Sequence, residues 1–246
     1  MIIKKIISIS LLAFFLVLFT GGILIQFLNP EMFKNTEWTP PVFILVASLL
    51  CIINQKKRTV ILLILAGLIG FFSEIIGIIT SFPYGEYIYT SKLGIKIFDV
   101  PLVLVCSWVI VTNLALDLIS FLKIKKLFFP FVFSFITTFY DLLIDPLMSG
   151  PLNYWVWEEN TGGFFGVPLE NFFGWFLVSL FISILPWKTW NNSFFPLSVN
   201  ILLPIFFITT SLKNELYVPA LMGIVLISSY IIIIIRSNLF KSDTLS

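Results

Sequence analysis

YDLLIDPLMSGPLNYWVWEENTGGFFGVPLENFFGW, residues Tyr140 to Trp175, is the stretch from which the rest of the chain can be read. It opens at the end of an apolar run with two carboxylates, Asp141 and Asp145, four residues apart. That spacing places both on one helix face, with Cβ atoms about 6 Å apart. Pro146 is expected to end the helix there, because its ring disfavours helical geometry in the preceding residue and it has no N–H to donate. The acids would then sit where bilayer meets surface. A loop follows, carrying Tyr154, Trp155, Trp157, Phe164 and Phe165 and turned by Gly162, Gly163 and Gly166, and another apolar helix begins near Asn171.

The flanking sequence is far too apolar for a water-soluble domain. Of 246 residues, 59% are hydrophobic and 11% charged, where soluble domains carry about 25% charge; the mean hydropathy is +1.04. The expectation is one integral membrane domain over residues 1–246. A net charge of +2 offers no field for nucleic acid, and the basic residues fall in short groups between apolar runs, where they report topology. There is no histidine, so the commonest general base and metal ligand is missing, and acid–base chemistry falls to Asp, Glu, Lys or Tyr. Neither a metal site nor a cofactor is expected. Cys51 and Cys106 each lie inside an apolar run without metal-type spacing and read as small core residues.

Crossing the hydrocarbon needs about 20 residues. Runs of that order are Ile6–Leu28, Val60–Thr80, Pro101–Phe121, Leu127–Ile144, Asn171–Trp187, Phe194–Leu212 and Leu216–Ile235. The first follows Lys4 and Lys5 like a secretory signal, but it is too long for one and lacks an A-x-A site, so it reads as a retained span. An eighth candidate, Val42–Ile53, is short, and charge decides for it. With eight spans Lys4, Lys5, Lys56, Lys57, Arg58, Lys123, Lys125, Lys126, Lys188, Arg236 and Lys241 share one side, against Lys34, Lys92, Lys96 and Lys213 on the other. The positive-inside rule then predicts an all-α polytopic bundle of about eight spans, seven if Val42–Ile53 does not cross, in the cell membrane with both termini cytoplasmic. The long connections 81–100 and 145–170 fall outside, and the first, with Phe82-Pro83-Tyr84-Gly85-Glu86-Tyr87-Ile88-Tyr89, reads as a turn, a short strand or an interfacial segment.

Polar residues inside the spans form stripes. Gly67, Gly70, Glu74, Gly77 and Ser81 share a face of the third span, small enough for close approach of a neighbour. Cys106, Asn113, Asp117 and Ser120 mark one on the fourth, and Ser134, Thr137 or Thr138, Asp141 and Asp145 one on the fifth. Ionisable groups at such depth point into a bundle and mark sites or pathways. Glu74, Asp141 and Asp145 are placed to meet in the outer leaflet, whereas Asp117 reads as a structural partner for Lys123, Lys125 and Lys126. Trp38, Trp187 and Trp190 read as interfacial belt residues.

FPYGEYIYTSKLG (Phe82–Gly94), VPLVLVCSW (Val100–Trp108), YDLLIDPLM (Tyr140–Met148) and W-x-W followed by FFGVPLENFFGW (Phe164–Trp175) together resemble the membrane carotenoid-biosynthesis proteins of the carotenoid hydratase type, which include bisanhydrobacterioruberin hydratase and the γ-carotene or lycopene 1,2-hydratases. The family's paired acids fall on Asp141 and Asp145, and its second Val-Pro loop on Val167 and Pro168 with Asn171, Gly174 and Trp175. Tyr140, Val105 and Leu147 depart from its usual Trp, Pro and Gln. The resemblance implies addition of water to the terminal C=C of an acyclic carotenoid, with the polyene, water and the bilayer as partners, and other membrane enzymes of the carotenoid pathway nearby.

Such chemistry protonates an unactivated alkene to a tertiary cation. It needs a carboxylic acid that keeps its proton, which two carboxyls sharing an apolar site favour, and aromatic faces to stabilise the cation. On this reading Asp141, the deeper acid, is the expected proton donor. Asp145 and Glu74 tune it and orient water, and Tyr84, Tyr87, Tyr89, Tyr140, Trp155, Trp157, Asn171 and Trp175 contact substrate. Two further enzyme readings are a carotenoid cyclase, which excludes water, and a prenyl-adding enzyme using Asp141 to Asp145 as D-x-x-x-D. The other class is a proton-coupled transporter or lipid-binding scaffold with Glu74 and Asp141 as relay.

Overall fold

In the computed structural model the apolar runs fold as eight helices among the residues it describes, 2–28, 36–122, 124–158, 163–187 and 193–242. They are α1 (Ile2–Leu28), α2 (Thr39–Ile52), α3 (Lys57–Thr80), α4 (Leu104–Ser120), α5 (Phe129–Ser149), α6 (Leu169–Ser183), α7 (Phe194–Lys213) and α8 (Tyr217–Ser242). Four helical stretches, Ile3–Leu28, Lys57–Thr80, Lys126–Ser149 and Phe194–Lys213, are long and apolar enough to cross a membrane, which makes this a membrane protein. The apolar α2, α4 and α6, with 14, 17 and 15 residues, reach roughly 21 to 26 Å at 1.5 Å per residue. Lys34, Lys123, Lys188, Gly162 and Trp190 lie outside the described residues.

Two sequence expectations about helix ends are corrected. Helix α4 starts at Leu104 and not at Pro101, because Val100–Pro101 pair antiparallel with Lys96–Ile97 as strands β3 and β2. Helix α5 does not stop at Asp145; it runs through Pro146 to Ser149. A proline this close to a C-terminus removes only one helical hydrogen bond, and the chain beyond supplies donors to the last turns. Ser149 Oγ donates to Asp145 O at 2.8 Å, Leu152 N to Leu147 O at 3.1 Å and Tyr154 N to Met148 O at 2.8 Å. The aspartates therefore lie one turn deeper than the proline suggests, four and eight residues from the helix end, or roughly 6 and 12 Å.

The two long connections are joined to each other. Strand β1 (Tyr87–Tyr89) pairs antiparallel with β4 (Trp155–Trp157) in the register Tyr87↔Trp157, Ile88↔Val156 and Tyr89↔Trp155. Side chains alternate across a strand, so the four aromatic residues point to one face and Ile88 and Val156, both exposed, to the other. Lys92 Nζ on Leu152 O at 2.6 Å and Lys96 Nζ on Tyr89 O at 2.5 Å fasten the same connections. At this end of the bundle the Lys213 amine, at the end of α7, also donates to Gln26 O near the end of α1. At the opposite end Arg58 Nη2 donates to Pro186 O at 3.1 Å, tying the start of α3 to the segment after α6.

The small-residue stripe on α3 does what its spacing predicts. A Cβ at Gly67 would lie 2.6 Å from Val105 O, and one at Gly70 only 2.1 Å from Trp108 Cγ, so α4 approaches α3 where only glycine fits. Gly70→Ala is expected to push Trp108 out of register at about 1–3 kcal/mol, the usual range for overpacking. A thermal midpoint in detergent equal to that of the unaltered chain would contradict this.

Candidate functional site

Glu74 sits six residues before the end of α3 and is buried. Three neutral donors converge on it: Tyr87 Oη to Oε2 at 2.5 Å, Tyr89 Oη to the same oxygen at 2.9 Å, and Trp108 Nε1 to Oε1 at 3.4 Å. The alternation of β1 points both tyrosines inward, and the glycines of α3 admit the indole. Glu74 thus acts as an acceptor on both oxygens, the role of a carboxylate.

Asp141 and Asp145 are buried on α5, and α6 packs against them. The Nδ2 of Asn171, in the first turn of α6, donates to both, at 2.7 Å to Asp141 Oδ2 and 2.6 Å to Asp145 Oδ2. Asp141 Oδ1 has no hydrogen-bond partner and is sealed from solvent. Three donors therefore converge on Glu74, and one amide bridges the two aspartates.

Both acidic groups face one cavity of ≈560 Å³. Glu74, Asp145, Asn171 and the stacked indoles of Trp108 and Trp175, 4.5 Å between centroids at 22°, form one wall. Tyr87, Tyr89, Trp155 and Trp157 form the roof, with Tyr87 against Trp157 at 5.0 Å and Tyr89 against Trp155 at 5.8 Å. Of the expected substrate contacts, six line this space. Tyr84 does not; its hydroxyl bonds Ser73 Oγ at 2.6 Å, and its ring is wedged against Gly77 and Gly174. Tyr140 does not either, because one residue along a helix turns it about 100° from Asp141, onto a small void with Asn200 and Tyr230. Asp141 lies behind Asp145 and does not reach the cavity wall.

The sequence reading missed Trp108, which stacks on Trp175 and bonds Glu74. A tryptophan well inside a span, instead of at its rim, was the signal. Asp117, at the other end of α4, accepts from Asn200 Nδ2 at 2.9 Å, and Asn113 Nδ2 donates to Asn200 Oδ1 at 2.9 Å, so that stripe knits α4 to α7.

The roof has a pH signature. Burial, and for Tyr87 and Tyr89 the nearby Glu74 charge, hold these phenols above the usual tyrosine range; burial alone holds Tyr154 at about 12. A proton held more tightly in the folded state contributes stability that is complete below the unfolded value of ~10 and is lost as pH rises through the folded values. Alkaline titration is expected to produce tyrosinate absorbance from the ribbon together with loss of near-ultraviolet dichroism from Trp155 and Trp157. Ionisation of these phenols with the dichroism intact would contradict the burial.

A helical membrane protein with two acidic groups on the wall of an aromatic-roofed cavity is the class that fold and site define. The chain belongs to the carotenoid biosynthesis protein family, whose model matches residues 41–230, a span that includes Glu74, Asp141, Asp145 and the tyrosines and tryptophans around them. No curated protein and no solved structure matches it. Family membership points to a role in carotenoid biosynthesis.

Proposed function

We propose that the chain is a carotenoid hydratase, adding water across the terminal C=C of an acyclic carotenoid end to give a tertiary alcohol. The observation that carries this reading is the Asp141–Asp145 pair, held by the single amide of Asn171 at the wall of an apolar, aromatic cavity. Family membership supplies the substrate class.

The geometry moves the proposed donor from Asp141 to Asp145, which is the acid that reaches the cavity. In the protonation step the Asp145 O–H bond breaks and a C–H bond forms at the less substituted alkene carbon. The π pair is consumed, and positive charge is left on the tertiary carbon. Glu74, held as an acceptor by Tyr87, Tyr89 and Trp108, supplies the opposite charge. The faces of Trp108 and Trp175 add cation–π stabilisation of about 2 kcal/mol each when desolvated. Water oxygen then bonds to the cationic carbon and its surplus proton returns to the aspartate pair, which ends as it began. Asp141 serves as the partner that shares the proton, and Asn171 positions the pair.

The decisive experiment expresses the chain in a lycopene-producing bacterium and weighs the carotenoids. Products heavier by one or two waters are expected. Unchanged lycopene, or a cyclised isomer of equal mass, would refute the hydratase reading.

The same proposal includes a topology. All eight helices cross the cell membrane as one domain, with termini cytoplasmic and the aromatic ribbon outside, supported by the charge asymmetry between the loops and by the cross-helix contacts at the two ends of the bundle. In a Cys51→Ala, Cys106→Ala background, the exposed Ile95 replaced by Cys should react with an impermeant maleimide in intact cells. Leu127→Cys, equally exposed, should react only after lysis. The reverse pattern would invert the assignment.

A further inference from the structure

Across the cavity from the acids the wall is built by α1, α2 and α7. Leu18, Gly22 and Gln26 line it from α1, Phe43 from α2, and Phe206 and Phe207 from α7. These phenyl rings continue one another. Phe15 lies parallel to Phe43 at 4.9 Å and 6°, Phe43 meets Phe206 at 5.7 Å, and Phe206 meets Phe207 at 6.0 Å. Among 28 phenylalanines, many of them exposed, the fold thus gathers a continuous seam at one helix junction.

Helix α1 closes that seam. It packs on α2 and α7 and is pinned at its end by Gln26 Nε2 on Thr210 Oγ1 at 3.1 Å and by the Lys213 amine on Gln26 O. The family match begins at residue 41, after α1 has ended. Yet α1 lines the space the acids share. Leu18 and Leu203 each lie ten residues from the ribbon end of their helices, so the cavity descends roughly 15 Å between α1, α2 and α7.

Gly22 sets the width of this channel. A Cβ there would come within 3.2 Å of Phe206 Cε2, so a larger side chain must drive the ring into the cavity or α1 away from α7. Its neighbour Gly21 has nothing within 4 Å.

We propose that α1 and the phenyl seam it completes form the receptor for the conjugated chain of the substrate, and that Gly22 is the specificity-determining position that keeps the channel wide enough for an extended polyene lying past the acids. The inference rests on the carotenoid reading for the chemistry of that chain. Flat polyene faces and phenyl rings fit edge and face without polar demands, and the seam leads away from Glu74 and Asp145, so the reacting end is held at Asp145 by what lies behind it.

The test uses the full-length protein in detergent with lycopene as probe, read by quenching of tryptophan fluorescence. Gly22→Leu is expected to weaken lycopene binding at least tenfold. Gly21→Leu, an identical change facing open space, should bind as the unaltered chain does. Unchanged binding by Gly22→Leu, or equal loss in both glycine variants, would overturn the assignment. Tight lycopene binding without addition of water would sink the hydratase reading and leave the seam standing. Hydration by the unaltered chain with Gly22→Leu binding undiminished would sink the seam alone.

Discussion

Asp145→Asn is expected to reduce hydration of lycopene by a factor of about 10²–10⁴, the usual contribution of a positioned general acid, while the protein remains in the membrane and still binds the polyene. The amide keeps the size and a hydrogen bond to Asn171 but has no acidic proton to give to carbon. Asp141→Asn should fall less far, since the group facing the cavity would still be a carboxyl, now without a partner to share its proton. The ranking is what the geometry predicts, because Asp145 lines the cavity and Asp141 is shielded behind it. Normal product from Asp145→Asn, measured against total carotenoid, would remove this residue from the mechanism. A larger loss in Asp141→Asn would return the donor role to the deeper acid.

Glu74→Gln tests the other acidic group and carries the second large effect. Three donors converge on Glu74, two on one oxygen and one on the other. An amide offers one acceptor and one donor, so it cancels the charge and sets an N–H against a phenol or indole N–H. Removing one preorganised electrostatic contact costs about 10²–10³ in turnover, and a comparable fall is expected here. Lycopene affinity should hold within a few-fold, because in the proposed mechanism Glu74 acts on charge that develops only during reaction. If turnover survives in Glu74→Gln, the cation is stabilised by the aromatic faces alone. If polyene binding collapses with it, the residue is a support for the roof and not part of the chemistry.

Much of this arrangement can be read from the residues. The D-x-x-x-D spacing puts Asp141 and Asp145 side by side, and the glycine stripe of α3 correctly marks a close approach. What single-chain pattern cannot show is direction. Tyr140 looks as favourable as Tyr87, yet the turn of the helix sends it to the far side of α5, while the alternation of β1 brings Tyr87 and Tyr89 onto one carboxylate. The strand itself is three residues long, below the length at which alternation is informative, and its partner lies in the other connection. Pro146 misleads for a local reason, since the helix continues past it and downstream N–H groups cap the carbonyls of Leu147 and Met148 at its actual end. The phenylalanines are the hardest case, because a ring facing lipid and a ring facing substrate satisfy the same hydrophobic pattern.

The pairing of β1 with β4 joins residues on either side of two intervening helices, α4 and α5. During synthesis neither strand has a mate until residues beyond α5 have emerged. A chain interrupted before that point would carry both aspartates and Glu74 with nothing above them. Biogenesis is therefore ordered so that the acids come under cover only once β4 has emerged and paired with β1, and a half-made protein lacks the aromatic roof of the cavity.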